Sequence, residues 1–292
     1  NCSNNGLTSL KGCPKEVTGT FHCSDNNLTS LEGSPKEVSG QFYCGGNKLT
    51  DLKGCPKSIG GEFYCVNNNL TSLEGGPESI GGDFNCKLNN LTSLKGSPKS
   101  VTGGFYCVSN ELTDLKGSPE SVGYDYDCGS NNLTSLEGSP KSVGGDFDCR
   151  INKLTDLKGS PESVGNGFHC FGNRLTSLKG SPESIAVDFD CSNNDLTSLE
   201  GSPISVGDNF YCFKNNLTSL EGCPKSVGGG FYCHTNPIGS IFDKVDIDFI
   251  KAFKSFKVLN NGVINLKRLR YLMSMFDKYI DIEEIEKHYT IK

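Results

Sequence analysis

The amino-acid sequence predicts a β-rich solenoid of about twelve 21-residue coils with short parallel strands, followed by a small α-helical C-terminal cap. Three observations support this fold class. The 292 residues include 36 glycines, 15 cysteines and no tryptophan, which is unusual for a globular domain and typical of a repeat. Twelve of the cysteines recur at a constant interval of 21 residues. From Pro237 this signature decays and apolar residues recur at helical spacing instead.

The repeat unit begins at these cysteines and reads C-x-x-N-x-L-T-S-L-x-G-S-P-x-S-V-x-G-x-F-x. The ladder cysteines are Cys2, Cys23, Cys44, Cys65, Cys86, Cys107, Cys128, Cys149, Cys170, Cys191, Cys212 and Cys233. Self-similarity at a period of about 20 to 50 residues indicates a solenoid or a propeller. A unit of 21 residues is too short for a four-stranded blade or a helix pair, so each repeat is predicted to form one coil of a right-handed solenoid.

The apolar positions of the repeat are predicted to face the core. In one repeat, Phe147 and Cys149 alternate inward along a short strand. Leu154 and Leu157 turn inward after it, and Val143 closes the coil. Because no coil can bury this core alone, neighbouring coils must stack, about 4.8 Å apart at the strands.

The polar and turn positions of the repeat also have predicted roles. Asn152 and its equivalents lie where the backbone leaves the strand, and a stacked Asn side chain there can satisfy buried amide and carbonyl groups. Gly159 and Pro161 mark the turn at the back of the coil, because glycine allows positive φ and proline fixes its own φ.

At these residues the chain resembles the leucine-rich repeat. The family signature L-x-x-L-x-L-x-x-N-x-L is matched by F-x-C-x-x-N-x-L, as in Phe189, Cys191, Asn194 and Leu196. The resemblance covers residues 1–241 and is strongest to the short bacterial type, N-x-L-T-S-L-P, known from secreted effectors; many tailed phages encode the G-C/S-P variant. The chain departs from the family in having three residues between its Val and Phe core positions, where the family has two. This extra residue predicts a bulge at the start of the strand.

We expect two domains, the solenoid over residues 1–241 and the helical cap over residues 242–292. Apolar residues recur at helical spacing in three groups of the cap, which are Phe249, Ile250, Phe253 and Phe256, then Leu266, Leu269, Leu272, Met273 and Phe276, and finally Ile282 and Ile285. Three short helices there would cover the open end of the last coil. At the other end Asn1 lies in mid-repeat, which indicates that a capping segment or more of a longer chain precedes it.

The cysteine ladder is interpreted as structural. Inward thiols behave as small apolar groups in a core, and parallel side chains in register do not turn toward each other as a disulfide requires. Zinc sites favour C-x-x-C spacing, whereas each ladder cysteine is followed by x-x-Asn. Cys13, Cys55 and Cys223 lie outside the ladder in repeats that are not neighbours. We therefore expect no metal and no cofactor, and a reducing compartment such as the cytoplasm, with an infected bacterial host as one setting.

The exposed face of the strands is where the repeat leaves the residue type open, and it carries the candidate binding residues. They are Tyr43, Tyr64, Tyr106, Asp125, Asp127, Asp146, Asp148, His169, Asp188, Asp190, Tyr211 and Tyr232. Exposed tyrosines are favoured at interfaces. Stacked aspartates repel each other, so their presence is best understood if a basic partner or a cation compensates them. An alternative interpretation is that these side chains are only solvated.

These features favour a non-enzymatic scaffold, encoded by a bacterium or phage, that recognises a protein or peptide with a basic surface. The formal net charge of −6 argues against nucleic acid, and no apolar run reaches the length of a membrane span, about 18 residues. Two alternatives stay open. Asp127 and Asp148, about 4.8 Å apart on successive strands, could be the carboxylate pair of a carbohydrate-active enzyme, or the chain could be a structural spacer or virion component. Nothing in the sequence indicates an oligomeric state.

Overall fold

The computed structural model describes residues 1–241 and 244–292, which form two compact units. Unit 1 comprises Asn1–Leu154 and Lys158–Asn166, and unit 2 comprises Thr155–Leu157 and Gly167–Lys292. The domain boundary predicted at residue 241 remains a prediction, and its first cap residues, 242 and 243, lie outside the described part of the chain.

Most repeats contain two strands of two residues each, which we call the side strand and the front strand. In unit 1 the front strands are Phe21–His22, Phe42–Tyr43, Phe63–Tyr64, Phe84–Asn85, Phe105–Tyr106, Tyr126–Asp127 and Phe147–Asp148. In unit 2 they are Phe168–His169, Phe189–Asp190, Phe210–Tyr211 and Phe231–Tyr232. Within each unit these strands pair in parallel, and equivalent positions of successive repeats are partners, as Phe42 is with Phe63. The predicted parallel solenoid with a 21-residue period is confirmed.

The side strands form shorter parallel sheets with the same register. Unit 1 has one sheet of Glu16–Val17, Glu37–Val38, Ser58–Ile59 and Ser79–Ile80, and another of Ser100–Val101, Ser121–Val122, Ser142–Val143 and Ser163–Val164. Unit 2 has Ser184–Ile185, Ser205–Val206 and Ser226–Val227. The predicted bulge is therefore wrong. Residues 144 and 145 form a bend between two separate strands, so the extra residue turns a corner of the coil.

At Gly144 the neighbouring repeat comes too close for a side chain at this corner. A Cβ on Gly144 would lie 2.1 Å from the carbonyl oxygen of Gly123, far inside van der Waals contact. The predicted turn at Gly159 is also found, with φ of 87°, a value that side chains with a Cβ rarely adopt. Both glycines let successive coils approach as closely as strand pairing demands.

The predicted core is confirmed. Phe147, Cys149, Leu154 and Leu157 have no exposed surface, and Val143 is 2% exposed. The inward aromatic rings of successive repeats lie 5.1 to 5.8 Å apart in each unit, which is the separation expected for packed ring pairs.

The asparagine ladder performs the predicted backbone role. The Asn152 side-chain amide donates hydrogen bonds to the carbonyl oxygens of Cys128, Cys149 and Arg150, each at 3.1 Å. Its Oδ1 accepts from the backbone N–H of Leu133 at 2.9 Å. The same buried bridge recurs at Asn26, Asn47, Asn68, Asn89, Asn110, Asn131, Asn194, Asn215 and Asn236.

All fifteen cysteines lie in the described residues, and none of them is in a disulfide. The ladder thiols from Cys23 onward are buried, and several of them point to the carbonyl oxygen of the next front strand, as Cys65 does to Asn85 at 3.5 Å. Burial raises the pKa of the Cys23 thiol to about 12 and that of Cys44 well above its usual range. These thiols are therefore protonated core groups.

Three helices follow the last repeat of unit 2, as the helical spacing predicted. They are α1, Ile247–Ser255, α2, Leu266–Met275, and α3, Ile282–Glu286, with a 3-10 helix at Pro237–Ser240. The strand Lys244–Val245 pairs antiparallel with Phe231–Tyr232, and a small sheet joins Leu259–Asn260, Val263–Ile264 and Thr290–Ile291. Asp246, Asn265 and Asp281 cap the three helices through their side chains. The Tyr289 hydroxyl donates to the Thr218 carbonyl oxygen at 2.9 Å, so this segment packs on the last repeats.

Candidate functional site

The outward side chains of the front strands form a surface that we call the front strip. It comprises the residues immediately before and after each inward Phe or Tyr, and the residue after each ladder cysteine. Unit 1 contains the predicted site residues Tyr43, Tyr64, Tyr106, Asp125, Asp127, Asp146 and Asp148. Unit 2 contains His169, Asp188, Asp190, Tyr211 and Tyr232. All of them are half-buried except Asp148, which is 9% exposed.

The first part of the strip in unit 1 is a row of aromatic side chains. The rings of Tyr43 and Tyr64 stack at 4.9 Å, and His22 lies 5.2 Å from Tyr43. The Tyr43 hydroxyl donates to Glu62 Oε2 at 3.2 Å. Burial, and then the charge of Glu62, raise the pKa of Tyr64 to about 12, so its phenol stays protonated at neutral pH. The row can therefore offer apolar ring surface and neutral hydroxyl groups.

The Tyr106 ring lies over Gly104 and contacts a cation of its own chain. A Cβ on Gly104 would come within 2.4 Å of the Tyr106 hydroxyl, so the glycine makes room for the ring. Lys87 Nζ lies 4.6 Å from the ring centroid, within cation–π distance. Burial and the charges of Asp83 and Asp125 raise the pKa of Tyr106 to about 12.

Two aspartates of unit 1, Asp127 and Asp148, are compensated by a cation of the chain itself. Arg150 lies 3.1 Å from Asp148 Oδ2 and 4.0 Å from Asp127 Oδ2. Each carboxylate also accepts a backbone hydrogen bond through Oδ1 at 3.0 Å, Asp127 from Gly129 and Asp148 from Arg150. Asp125 Oδ1 accepts from the backbone N–H of Asp146 at 2.9 Å. In unit 1 the compensating cation is thus the chain's own Arg150, a pairing that the sequence analysis missed.

The aspartates of unit 2 have backbone partners but no such cation. Asp188 Oδ1 accepts from the backbone N–H and the side-chain amide of Asn209, at 2.9 and 3.1 Å. Asp190 Oδ1 accepts from the backbone N–H of Ser192 at 2.9 Å. Burial raises the pKa of the Asp190 carboxyl, against the lowering effect of the Ser192 hydrogen bonds and His169. Among the described residues, no Lys or Arg forms an ion pair with Asp188 or Asp190.

Four residues at the end of the strip in unit 2 form an aromatic cluster, comprising Tyr211, Phe213, Tyr232 and His234. Tyr211 stacks on Tyr232 at 4.8 Å, and Phe213 stacks on His234 at 4.5 Å. Tyr211 also meets Phe213 edge to face at 6.4 Å. Phe213 and His234 were not among the predicted site residues. Their signal in the sequence is that aromatic residues follow the ladder cysteine in two successive repeats.

Two exposed apolar side chains flank the strip in unit 1. Leu88 and Ile151 are 55% and 53% exposed and follow Lys87 and Arg150 directly. Both have positive φ, of 56° and 52°, which is uncommon for a bulky residue and an outlier for a β-branched one. Asn, Asp, Gly and Ser are frequent at this position in the other repeats, so these two side chains interrupt a pattern that suits the backbone.

The geometry gives little support for carboxylate catalysis. Asp127 and Asp148 are register partners, as predicted, but they share one guanidinium and accept equivalent backbone hydrogen bonds. A glycosidase pair needs two carboxyl groups in different environments. Among residues 1–241 and 244–292, no three His, Cys, Asp or Glu side chains are grouped as metal ligands, and no helix has the length and apolar character of a membrane span.

Two solved structures of the protein YopM are similar to this chain. YopM from Yersinia enterocolitica WA-314 matches with a TM-score of 0.56 and 24% identity, over 80% of this chain and 55% of that chain. YopM from Yersinia pestis, a leucine-rich effector protein, gives a TM-score of 0.42 and 19% identity, over 81% of this chain and 82% of that chain.

The first match shows the fold, which is a leucine-rich-repeat solenoid of the bacterial type, as the repeat signature predicted. The chain spans about half the length of the Y. enterocolitica protein that it matches. No protein-family model and no curated protein matches the sequence.

Proposed function

We propose that this chain is a non-enzymatic scaffold that recognises a protein or peptide through the front strip. The observation that carries the proposal is the row of half-buried aromatic and acidic side chains on the strip, held by a hydrogen-bonded parallel sheet. Leucine-rich-repeat proteins generally bind proteins, and an extended repeat surface lets many weak contacts add along its length. Rigid tyrosine side chains lose little conformational entropy on binding and are frequent binding hot spots.

The partner that fits this surface has basic side chains. The strip carries carboxylates next to tyrosine rings in both units, and both groups attract ammonium and guanidinium groups. Association is expected to weaken as salt screens these charges. We further propose a reducing compartment in a bacterium or phage-infected cell, because fifteen cysteines without a disulfide are uncommon in oxidising compartments.

Affinity capture with a matched control tests this function. The immobilised intact chain is compared with a strip variant, Tyr64→Ala/Tyr211→Ala/Tyr232→Ala, and with a control variant that removes three tyrosines outside the strip. The control variant is Tyr124→Ala/Tyr271→Ala/Tyr279→Ala, whose side chains are 66%, 59% and 87% exposed. Bacterial lysate is passed over each, and captured proteins are quantified by mass spectrometry at low and high salt.

A protein captured by the wild type and the control variant, lost with the strip variant, and released by salt supports the proposal. Thermal melts establish that all three chains are folded. If the strip variant captures the same proteins as the wild type, binding does not use the front strip and the proposal is wrong.

A further inference from the structure

The two units contain the same juxtaposition of a tyrosine ring and a carboxylate on neighbouring front strands. In unit 1, Tyr106 is the register partner of Asp127, and in unit 2, Tyr211 is the register partner of Asp190. One face of the Tyr211 ring is covered by Tyr232 at 4.8 Å. Asp190 is the register partner of Tyr211 on the other side, so the opposite ring face is on the Asp190 side of the strip.

In unit 1 the corresponding tyrosine and aspartates are in contact with cations of the chain itself. Lys87 lies over the Tyr106 ring at 4.6 Å, and Arg150 lies beside Asp127 and Asp148. Both cations come from the position that follows a ladder cysteine. This unit therefore shows that the strip can hold an ammonium group on a tyrosine and a guanidinium group on its carboxylates.

In unit 2 the same sequence position supplies no cation. The residues that follow its ladder cysteines are Phe171, Ser192, Phe213 and His234. The Asp190 carboxylate is partly removed from water. Burial, and then the charges of Asp188, Tyr232, Asp208 and Asp190, raise the pKa of Tyr211. The surroundings of Tyr211 are thus negative and aromatic, without the internal compensation that unit 1 has.

We infer that the front strip of unit 2 is a binding site for an arginine side chain of the partner, formed by the open face of Tyr211 and the carboxylates of Asp190 and Asp188. This inference rests on the proposed function. Tyr211 and Asp190 are register partners on strands about 4.8 Å apart, so the ring and the carboxylate lie side by side on the strip. A planar guanidinium fits this pair, since it can stack on the ring and donate hydrogen bonds to the carboxylate at the same time. A lysine ammonium can make only a point contact with either group.

The test is an NMR titration of the intact chain with three capped tripeptides, Gly-Arg-Gly, Gly-Lys-Gly and Gly-citrulline-Gly, near neutral pH. Citrulline has the shape of arginine without its charge. The arginine peptide is expected to shift the Ser192 backbone N–H and the Tyr211 ring signals. Its dissociation constant should be at least about threefold lower than that of the lysine peptide. The citrulline peptide should leave these signals unchanged. Equal binding of all three peptides, or shifts confined to unit 1, would overturn the inference.

Two substitutions and a matched control locate the site. Asp190→Asn keeps the oxygen that accepts from Ser192 and removes the charge, and Tyr211→Leu removes the ring. Asp190→Asn should weaken arginine-peptide binding at least about tenfold, the loss expected for a charge-assisted hydrogen bond. Tyr211→Leu should weaken it at least about threefold, the loss expected for a cation–π contact. The control, Asp195→Asn, changes an exposed aspartate of unit 2 outside the front strip, and it should leave arginine-peptide binding unchanged.

The outcomes separate this inference from the proposed function. If protein capture requires Tyr64 but is insensitive to Asp190→Asn and Tyr211→Leu, the scaffold function stands and the arginine site is wrong. If the arginine peptide binds at Tyr211 while the strip variant captures every protein that the wild type does, the site stands and the scaffold function is wrong.

Discussion

The front strips of the two units share one scaffold and differ in how their charges are balanced. In unit 1, Arg150 lies 3.1 Å from Asp148 and Lys87 lies over Tyr106. In unit 2, Asp190 accepts hydrogen bonds from Ser192 and lies near His169, and the positions after the ladder cysteines contribute to an aromatic cluster instead of cations. Apart from Tyr126, the inward positions of the front strands carry the same residue types in both units, so the difference in charge is carried by side chains that the core does not constrain.

This separation follows from the geometry of a parallel coil. Inward side chains and the asparagine ladder meet the same partners in every repeat, which holds them constant. Outward side chains meet solvent and the outward side chains of adjacent repeats, so they can change without cost to the core. A repeat protein can therefore neutralise one part of its surface and leave another part charged, while both parts keep the same backbone.

The largest expected effect is on the rate of thiol labelling, which tests whether the core is equally protected in both units. The buried ladder thiols, from Cys23 to Cys233, should react with a thiol reagent at least about 100-fold more slowly than the half-exposed Cys2, Cys13 and Cys223, because labelling a buried thiol requires local opening. Mass spectrometry of peptides gives the rate at each site, and labelling in denaturant shows that every thiol can react. Fast labelling of the ladder in one unit alone would show that the two scaffolds are not equivalent.

Replacing one ladder asparagine in either unit should lower the unfolding free energy by the same amount. Asn131 bonds three carbonyl groups and the Leu112 N–H, and Asn215 makes the equivalent four bonds. Alanine at either site leaves these buried groups unpaired, so we expect each variant to lose about 3 kcal/mol of unfolding free energy in urea titrations.

The exposed neighbours provide the control for this pair of variants. Asn90→Ala and Asn216→Ala change asparagines whose side chains face solvent, and their unfolding free energies should stay within about 0.5 kcal/mol of the wild type. A large loss at Asn131 with little loss at Asn215 would contradict the equivalence of the two ladders.

The inward half of this structure was predictable from the sequence, and the outward half only in part. Cys149, Asn152 and Gly159 occupy fixed positions because strand alternation and turn chemistry leave one solution for a 21-residue coil. The three helices followed from the spacing of apolar residues. The corner at Gly144 was mistaken for a bulge, because sequence spacing alone does not distinguish one bent strand from two short ones.

The pairings on the strip were not predictable, because they depend on side-chain conformation across neighbouring strands. Arg150 follows Cys149, yet its guanidinium reaches Asp127 in the preceding repeat. Phe213 and His234 are neighbours only when the repeats are stacked in register. Counting aspartates therefore suggested one uncompensated patch, whereas the structure shows compensation in unit 1.

Breaking the internal ion pair should make unit 1 resemble unit 2. The Asp148 side chain is 12% exposed and that of Arg150 is 40% exposed, so the pair is partly screened by solvent. Arg150→Met keeps the apolar stem and should lower the unfolding free energy by about 1 kcal/mol, since it leaves Asp148 without its cation. The double variant with Asp148→Asn should regain most of this loss. If Arg150→Met alone has no effect, the pair does not stabilise the folded chain.

The smallest expected effect is that of an Asp→Asn substitution on the unfolding free energy, and it has opposite signs in the two units. Burial raises the pKa of Asp190, so the folded state holds its proton more tightly than the unfolded chain does. Its contribution to stability is present below the unfolded value of about 3.9 and is lost as the pH rises through the folded pKa. At neutral pH the Asp190 charge is therefore a cost. Asp190→Asn keeps the hydrogen bond from Ser192 and removes that cost, so it should stabilise the chain by about 0.5 kcal/mol.

Asp148→Asn should instead destabilise the chain at neutral pH, because the Arg150 guanidinium then loses its carboxylate partner. Urea unfolding of both variants, repeated from neutral to acidic pH, checks the two signs. The advantage of Asp190→Asn should shrink as the pH falls toward the unfolded pKa, since the wild-type carboxyl is then protonated in both states. Stabilisation of both variants, or of neither, would mean that the two strips are electrostatically alike, and the contrast between the units would reduce to their aromatic side chains.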